Sequence, residues 1–316
     1  MRAVVTGAAG FIGATLCEQL LGDGWSVTGV DSFTTFYDPS VKRRNAARWA
    51  GHAHAELVEI DLLDGDVRPL LSGADAAFHL AGQPGVRGSW EDGFDLHCSR
   101  NILATQRVLD AVVAAAPQVR LVVASSSSVY GNQPDGPVAE DARLHPFSPY
   151  GVSKLSCEHL CRAYADNFEV SSVLLRYFTV FGPHQRPDMA MHRLIAAALH
   201  GTTFPLFGDG TQRRDFTYVA DAVAATVAAG TADVAPATPV NVCGGEVVTM
   251  NAVIDLVGEL VGDAVRIDHT ATQAGDVTQT WGDSTAAERL LGCVAEVGVR
   301  DGLARQVAWM RSQTDG

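Results

Sequence analysis

Ser126, Tyr150 and Lys154 have the types and the spacing that the oxidation of an alcohol requires. Tyr150 and Lys154 are four residues apart, so on a helix they lie on one face. A phenol ordinarily ionises near pH ~10, but a neighbouring ammonium group favours the phenolate form, and a cationic nicotinamide ring favours it further. Ser126, at the end of a predicted strand, can hydrogen-bond the same substrate hydroxyl. These residues predict the removal of a proton from an alcohol while a hydride leaves its carbon for NAD.

A glycine pattern near the start of the chain predicts where that cofactor binds. Gly7, Gly10 and Gly13 follow a predicted strand and begin a predicted helix. Such glycines allow a tight turn and let a pyrophosphate approach the N–H groups of the helix N-terminus. Asp31 ends the second predicted strand, where a carboxylate accepts hydrogen bonds from both ribose hydroxyls and repels a 2′-phosphate. The pattern alone is weak, and a tight turn beside a solvated aspartate is the alternative, but the context predicts NAD rather than NADP.

Strands and helices alternate through the first 180 residues. The predicted strands are 3–6, 26–30, 56–60, 76–80, 121–124 and 173–176, with helices such as 14–21 and 102–115 between them. Continuous apolar strands separated by helices indicate a parallel sheet that is covered on both faces, with ligands beyond the carboxyl ends of the strands. The predicted fold class is therefore α/β, a Rossmann-like doubly wound parallel sheet.

After Phe181 the alternation ends, which predicts a smaller C-terminal α/β substrate-binding domain. We expect residues 1–178 plus about 216–243 to form the NAD-binding Rossmann domain. Residues 179–215 plus 244–316 then form the substrate-binding domain.

Composition narrows the function classes. The net charge of −13 argues against nucleic acid and anionic membrane surfaces as partners, because both need a basic footprint. The six cysteines include no C-x-x-C pair, so reduced thiols and no metal site are expected. No run of roughly 18 apolar residues predicts a membrane span, and the glycine loop explains the N-terminal segment better than a signal peptide does. The expected location is the cytoplasm.

Taken together, the motifs resemble those of the extended short-chain dehydrogenase/reductases, the NAD-dependent nucleotide-sugar epimerases and dehydratases. GAAGFIG, HLAGQ, SSSSVYG, SPYGVSK, RYFTVFGP and RRDFTYV occur in the family's order along nearly the whole chain. The resemblance implies a UDP-sugar substrate for the smaller domain. It also implies a homodimer formed through a four-helix bundle, for which residues 102–115 and 153–165 are available.

The resemblance also implies roles for individual residues. The catalytic residues would be Ser126, Tyr150 and Lys154. The cofactor-binding residues would be Gly7, Gly10, Phe11, Ile12, Gly13, Asp31, Asp61, Leu62, Leu80, Ala81, Gly82, Tyr150 and Lys154. The substrate-binding residues would be Arg87, Ser126, Ser127, Ser128, Tyr150, Thr179, Arg186, Phe207, Arg214 and Asp276. Two of these also have an ordinary interpretation: Arg87 as a charge at a helix start, and Arg186 as a solvated charge in a proline-rich loop, although the neighbouring Thr179 and the RPDMA segment favour the functional role of Arg186.

Three segments are similar to those of UDP-glucuronate 4-epimerases: residues 83–87, 178–190 and 273–277. UDP-galactose 4-epimerases usually have Asn where Thr179 stands and Arg where Gln273 stands. A guanidinium at Arg186 can pair with a sugar carboxylate, which a neutral hexose lacks. The expected reaction is thus C4 epimerisation of UDP-glucuronate to UDP-galacturonate through a 4-keto intermediate, with hydride return to C4. This is the work of an isomerase of carbohydrate metabolism.

The sequence leaves three alternatives. UDP-glucose/UDP-galactose 4-epimerase is the first. UDP-glucuronate decarboxylase or a 4,6-dehydratase is the second, but those enzymes typically carry acidic residues where Ser127 and Ser128 stand. A non-catalytic NAD-binding protein is the third, and it would not need the intact Ser126, Tyr150 and Lys154.

Overall fold

A seven-stranded parallel sheet forms the centre of the computed structural model, which describes residues 1–133 and 135–314. The strands are β1 (Arg2–Thr6), β2 (Ser26–Asp31), β3 (Ala55–Glu59), β4 (Ala76–His79), β5 (Arg120–Ser126), β6 (Ser172–Tyr177), β7 (Thr179–Phe181), β8 (Thr203–Phe207), β9 (Arg213–Tyr218), β10 (Thr238–Val242), β11 (Val247–Thr249) and β12 (Arg266–Thr270). The large sheet has the order β3-β2-β1-β4-β5-β6-β10. Strand order reverses beside β1, and ligands of doubly wound sheets bind at such a reversal.

Helices cover both faces of this sheet. They are α1 (Phe11–Gly22), α2 (Pro39–Ala47), α3 (Arg68–Leu71), α4 (Gly93–His97), α5 (Ala104–Ala115), α6 (Pro149–Phe168), α7 (Ala190–His200), α8 (Val219–Ala229), α9 (Met250–Val261), α10 (Thr285–Leu291) and α11 (Val299–Thr314). Successive side chains of a strand point to opposite faces, so Ala3 and Val5 pack with α1 and α8, whereas Val4 packs with α3, α5 and α6. The Rossmann-like α/β fold predicted from the sequence is confirmed.

The C-terminal half adds two small sheets, β11-β9-β7 and β12-β8. The second predicted stretch of the Rossmann domain, about 216–243, contributes to two sheets, the small sheet β11-β9-β7 and the large sheet. Its start lies in β9, which pairs with β7 and β11, whereas β10 pairs with β6 of the large sheet. The exact division into two domains stays a prediction.

The helix that carries Tyr150 and Lys154 begins at Pro149, so both residues lie on one helix as expected, and the stretch 153–165 is its middle part. Ser148 is its N-cap, because the Ser148 side chain accepts a hydrogen bond from the N–H of Gly151 at 3.1 Å, and Pro149 takes the first helical position. Tyr150 therefore lies in the first turn of α6, with Lys154 one turn further along. The predicted homodimer stays a prediction, although Val152 and Phe168 of α6 are exposed.

The predicted helix 102–115 also differs from the structure. Residues 102 and 103 belong to a π-helix, Cys98–Leu103, and the α-helix α5 begins only at Ala104. Periodicity cannot reveal a π-helix, because a single turn with i→i+5 hydrogen bonds is too short to change the apolar pattern visibly. Among the described helices, none is long and apolar enough to span a membrane.

Candidate active site

The glycine loop brings the start of α1 against the end of β1. Gly7 has φ +73° and donates its N–H to the Val30 carbonyl at 2.8 Å. A Cβ at Gly7 would lie 2.8 Å from the backbone nitrogen of Ala81, and one at Gly13 would lie 2.1 Å from the Gly7 carbonyl oxygen. Only glycine fits both positions. The result is a cradle of bare backbone at a helix N-terminus, which fits the pyrophosphate of a dinucleotide.

Asp31 lies at the end of β2, as predicted, and its carboxylate is buried. It accepts hydrogen bonds from the backbone N–H groups of Ala9 (3.1 Å) and Phe33 (2.8 Å). The Nζ atom of Lys42 lies 3.5 Å from the same carboxylate. Sequence reasoning missed Lys42, because it sits in the charged run 42–44 and only the fold shows that it is the buried member. These contacts hold the Asp31 carboxylate in place on the cavity wall, and Lys42 balances its charge.

Asp61 and Leu62 also line the cavity at the carboxyl ends of the strands. Asp61 pairs with Arg100 of the π-helix and accepts a hydrogen bond from the Leu63 N–H at 3.0 Å. Burial raises the pKa of Asp61, but these hydrogen bonds outweigh it and the pKa lies below its ordinary value. Arg100 was not predicted, since its role depends on a contact between residues 39 positions apart.

The three predicted catalytic residues lie together on one cavity of about 440 Å³. Ser126 ends β5 and its Oγ accepts a hydrogen bond from the Ser128 N–H at 3.1 Å. Lys154 is buried and donates from Nζ to the Ala124 carbonyl at 2.8 Å. Tyr150 packs edge-on against His97, with ring centroids 5.8 Å apart. The fold therefore assembles a phenol, an ammonium and a hydroxyl at the place where the glycine cradle directs a dinucleotide.

All the predicted cofactor residues line this same cavity. Besides Tyr150 and Lys154 they are Gly7, Gly10, Phe11, Ile12, Gly13, Asp31, Asp61, Leu62, Leu80, Ala81 and Gly82, and the predicted substrate residues Ser127, Ser128, Thr179 and Arg186 join them. A Cβ at Gly82 would lie 2.8 Å from Oδ1 of Asn101, so any other residue there would displace the Asn101 side chain.

Asn101 is a buried positioning residue that the sequence did not reveal. Its Oδ1 accepts the Gln83 N–H at 2.7 Å, and its Nδ2 donates to the Gln83 carbonyl at 3.1 Å and to Ser153 Oγ at 2.9 Å. The segment after β4 is thereby fixed to α6 beside Lys154. His79 is a core residue: it hydrogen-bonds Thr6 and Thr105, and burial, with the Lys154 charge, lowers the pKa of His79 to about 3.

Arg186 lies on the cavity, but its guanidinium already has a carboxylate partner. Its Nε and Nη2 each lie 3.0 Å from the Asp188 carboxylate oxygens, in a bidentate arrangement. The Arg186 side chain is only 20% exposed, so the alternative of a fully solvated surface charge does not describe it. Thr179, at the start of β7, lines the same part of the cavity.

A second cluster gathers four predicted substrate residues outside the main cavity. The Arg87 guanidinium carbon lies 3.9 Å from the centre of the Phe207 ring, and Arg87 pairs with Asp276 at 2.9 Å. Burial lowers the pKa of Arg214, although the nearby Asp276 opposes this effect. Arg87 is therefore not merely a helix-start charge, because it lies with the residues that the resemblance assigns to the nucleotide.

A buried ion-pair network stands behind Ser126. Arg176 of β6 donates from Nε (2.9 Å) and Nη2 (2.7 Å) to Glu158 of α6, and from Nη1 to the Tyr130 hydroxyl at 2.8 Å. Glu158 also accepts the Ser125 hydroxyl, next to Ser126 in the chain. An arginine inside the apolar run 173–177, and a glutamate four residues after Lys154, were the signals that could have revealed this network.

No group of three or more histidine, cysteine or acidic side chains in the described parts of the chain could hold a metal ion. All six cysteines are free thiols.

Comparison with known proteins places the chain beside sugar-nucleotide enzymes. The model of the NAD dependent epimerase/dehydratase family matches residues 3–243. YtcB of Bacillus subtilis (strain 168), described as an uncharacterized UDP-glucose epimerase, is 40% identical over 317 residues that cover 100% of both chains. UDP-glucuronate 4-epimerase of Thermodesulfobacterium geofontis (strain OPF15) is 32% identical, over 99% of this chain and 97% of the relative. The structure of UDP-glucuronic acid 4-epimerase from Bacillus cereus with UDP-glucuronic acid and NAD is 38% identical, with a TM-score of 0.96 over 99% of this chain and 100% of that chain.

Proposed function

The chain belongs to the NAD-dependent epimerase/dehydratase family, and on that premise we propose that it inverts C4 of UDP-glucuronate to give UDP-galacturonate. The enzyme is an isomerase of the epimerase type and its cofactor is NAD, as the sequence predicts. The observation that supports the glucuronate substrate is the position of Arg186. A guanidinium and the Thr179 side chain line the same cavity as Ser126, Tyr150 and Lys154, so the reacting hydroxyl and a sugar carboxylate can be held together.

In this proposal Tyr150 removes the proton from the 4-hydroxyl of the sugar. The ammonium of Lys154 stabilises the negative charge that the phenol takes on, and Ser126 holds the hydroxyl oxygen by a hydrogen bond. Bound NAD supplies the acceptor, and later the donor, of the C4 hydride. The 4-keto sugar turns within the cavity and presents its other face, after which Tyr150 returns the proton.

The nucleotide is expected to stay anchored while the sugar turns. Arg214 would hold the diphosphate, and Asp276 and Phe207 would hold the ribose and base. The Arg87–Asp276 pair is half-exposed, and Arg87 also lies over the Phe207 ring. We propose that the UDP part of the substrate binds between Arg87 and these two residues. A pivot of this kind is compatible with large rotation of the sugar because it lies outside the reaction cavity.

The main alternative substrate is UDP-glucose or UDP-galactose. Two observations favour it: the name of the Bacillus subtilis relative, and the Asp188 carboxylate that already occupies Arg186. Decarboxylation and 4,6-dehydration are less well supported, because Ser127 and Ser128 provide no acid or base for the additional step. Arg186 would also suppress decarboxylation by holding the carboxylate out of line with the 4-keto group.

The substrate choice gives the first test. The kcat/KM for UDP-glucuronate should be higher than that for UDP-glucose. The difference should correspond to at least ~2 kcal/mol of transition-state stabilisation, the scale of a charge-assisted hydrogen bond. Arg186→Ala should erode this preference mainly through lost UDP-glucuronate activity, and a trace of UDP-4-keto-pentose should appear. Steady-state kinetics with both sugars on both proteins measure the effect. Equal use of the two sugars by the unmodified enzyme would favour the UDP-glucose 4-epimerase alternative.

The route of the hydride gives an independent test. Substrate deuterated at C4 should yield product that keeps its deuterium at C4, with no exchange into water and no added NAD required. NMR of the product measures the retention. Loss of the label to solvent would instead indicate proton abstraction from carbon, which would contradict the 4-keto route whatever the sugar.

A further inference from the structure

Tyr37 lies in the loop between β2 and α2, at residues 32–38, and lines the reaction cavity. Its ring is bounded on one side by Lys42, whose Nζ is 5.4 Å from the ring centre, and on another by Phe36, whose ring centroid is 6.4 Å away. Lys42 in turn contacts Asp31. The loop thus carries a phenol from the cofactor side of the cavity to the edge of the sugar side, where Arg186 and Met189 also line the wall.

The hydroxyl of Tyr37 is buried, and it makes no hydrogen bond to any residue that the structure describes. Native proteins rarely leave such a group unpaired, because an unsatisfied buried hydroxyl costs on the order of 1–3 kcal/mol. Burial raises the pKa of Tyr37 far above its ordinary value; the Arg186 charge opposes this, and Asp31 and Asp188 add to it. Tyr37 is therefore a neutral phenol, able to donate one hydrogen bond, beside the guanidinium proposed to receive a carboxylate.

Arg186 by itself offers an incomplete site for that carboxylate. Asp188 takes the N–H of Nε and one of Nη2, so three N–H groups of Arg186, two on Nη1 and one on Nη2, make no hydrogen bond to the residues described. A sugar carboxylate could accept two of these, but it would share the guanidinium charge with Asp188 and would need other donors for its remaining lone pairs, since a desolvated carboxylate is costly. The orphan hydroxyl of Tyr37 and the hydroxyl of Thr179 are neutral donors on the same cavity.

We propose that Tyr37 is a specificity-determining residue whose hydroxyl donates a hydrogen bond to the C5 carboxylate of the bound sugar. The inference rests on the proposed function. The cofactor ribose is a weaker candidate for this contact, because Asp31, which is an acceptor, already faces the ribose hydroxyls. The carboxylate is the ligand group that needs further donors.

Tyr37→Phe tests the proposal, because it removes the hydroxyl and keeps the ring. We expect kcat/KM for UDP-glucuronate to fall by ~10-fold or more, the effect of a lost hydrogen bond to a charged group. The dissociation constant of UDP-glucuronate, measured by calorimetry, should rise, whereas that of UDP-glucose should change less than ~2-fold. The content of bound NAD and the melting temperature should match those of the unmodified enzyme. Tyr164→Phe is the matched control, since its hydroxyl bonds Asp110 and Gln106 away from the cavity and its loss should change neither sugar.

The outcomes separate this inference from the proposed function. An unmodified enzyme that binds and uses both sugars equally overturns both. An enzyme that prefers UDP-glucuronate, combined with a Tyr37→Phe variant that keeps the full preference, overturns the role of Tyr37 alone. Equal weakening of both sugars, or loss of NAD, assigns the hydroxyl to the cofactor or to the fold and also overturns it.

Discussion

Tyr150→Phe is expected to lower turnover by a factor of ~100 or more while NAD stays bound. The variant keeps the ring packed against His97 but removes the group that is proposed to take the 4-hydroxyl proton. A positioned general base typically contributes 10²–10⁴-fold, and no other phenol among the residues that line the cavity takes its place beside Lys154. Measuring kcat on UDP-glucuronate, with the NAD content determined after denaturation, checks both parts.

Lys154 provides the comparison for this experiment. Lys154→Met should also slow the reaction, but it removes both the hydrogen bond to the Ala124 carbonyl and the side-chain charge proposed to stabilise the phenolate. A Tyr150→Phe variant with near-normal turnover would remove Tyr150 as the base. Loss of NAD from that variant would point instead to a structural role in cofactor binding.

Arg176→Ala should have the largest effect on stability. Its side chain is 2% exposed and that of Glu158 is 4% exposed, so removing the guanidinium leaves a buried carboxylate without its charged partner. Breaking such a pair costs about 3–5 kcal/mol, whereas replacing both partners by apolar residues of similar volume is often close to neutral. We therefore expect Arg176→Ala to lower the free energy of unfolding by that amount, and the double variant Arg176→Met with Glu158→Leu to recover a large part.

Urea unfolding of the three proteins, followed by circular dichroism, measures these differences. A matched control is Arg300→Ala, since the Arg300–Glu259 pair is more than half exposed and should matter little. A loss below ~1 kcal/mol for Arg176→Ala would show that water or movement of Tyr130 compensates the carboxylate.

The fold and the cofactor end of the site could be predicted because their signals are local. The strand ends, the glycine loop and Asp31 follow from hydrophobic runs and from backbone conformations that only glycine adopts. The helical spacing of Tyr150 and Lys154 was expected from the sequence, but the start of α6 was not, because Ser148 and Pro149 were not interpreted as a cap and a first helical residue. That signal was present in the sequence.

The partners of the predicted residues could not be predicted, for a physical reason. Three predicted residues have a charged partner that was not predicted: Asp31 pairs with Lys42, Asp61 with Arg100 and Arg186 with Asp188. The first two pairs join different elements of the fold. The pattern of a single sequence does not reveal which of several neighbouring charged residues becomes buried. The same limit applies to Asn101, whose role follows from the π-helix, and to the Arg176–Glu158 pair.

The cluster of Arg87, Phe207 and Asp276 has a consequence for the order in which the molecule becomes competent during its synthesis. Its ion pair joins residues 189 positions apart, and β12, which fixes β8 and thus Phe207, comes from residues 266–270. The glycine cradle, Asp31 and the Tyr150–Lys154 pair all precede residue 155, so a growing chain contains the residues of its dinucleotide cradle before Phe207 and Asp276 have been synthesised. The cofactor can therefore be the first ligand to find a binding surface, and the sugar nucleotide can be held only after the last small sheet has closed.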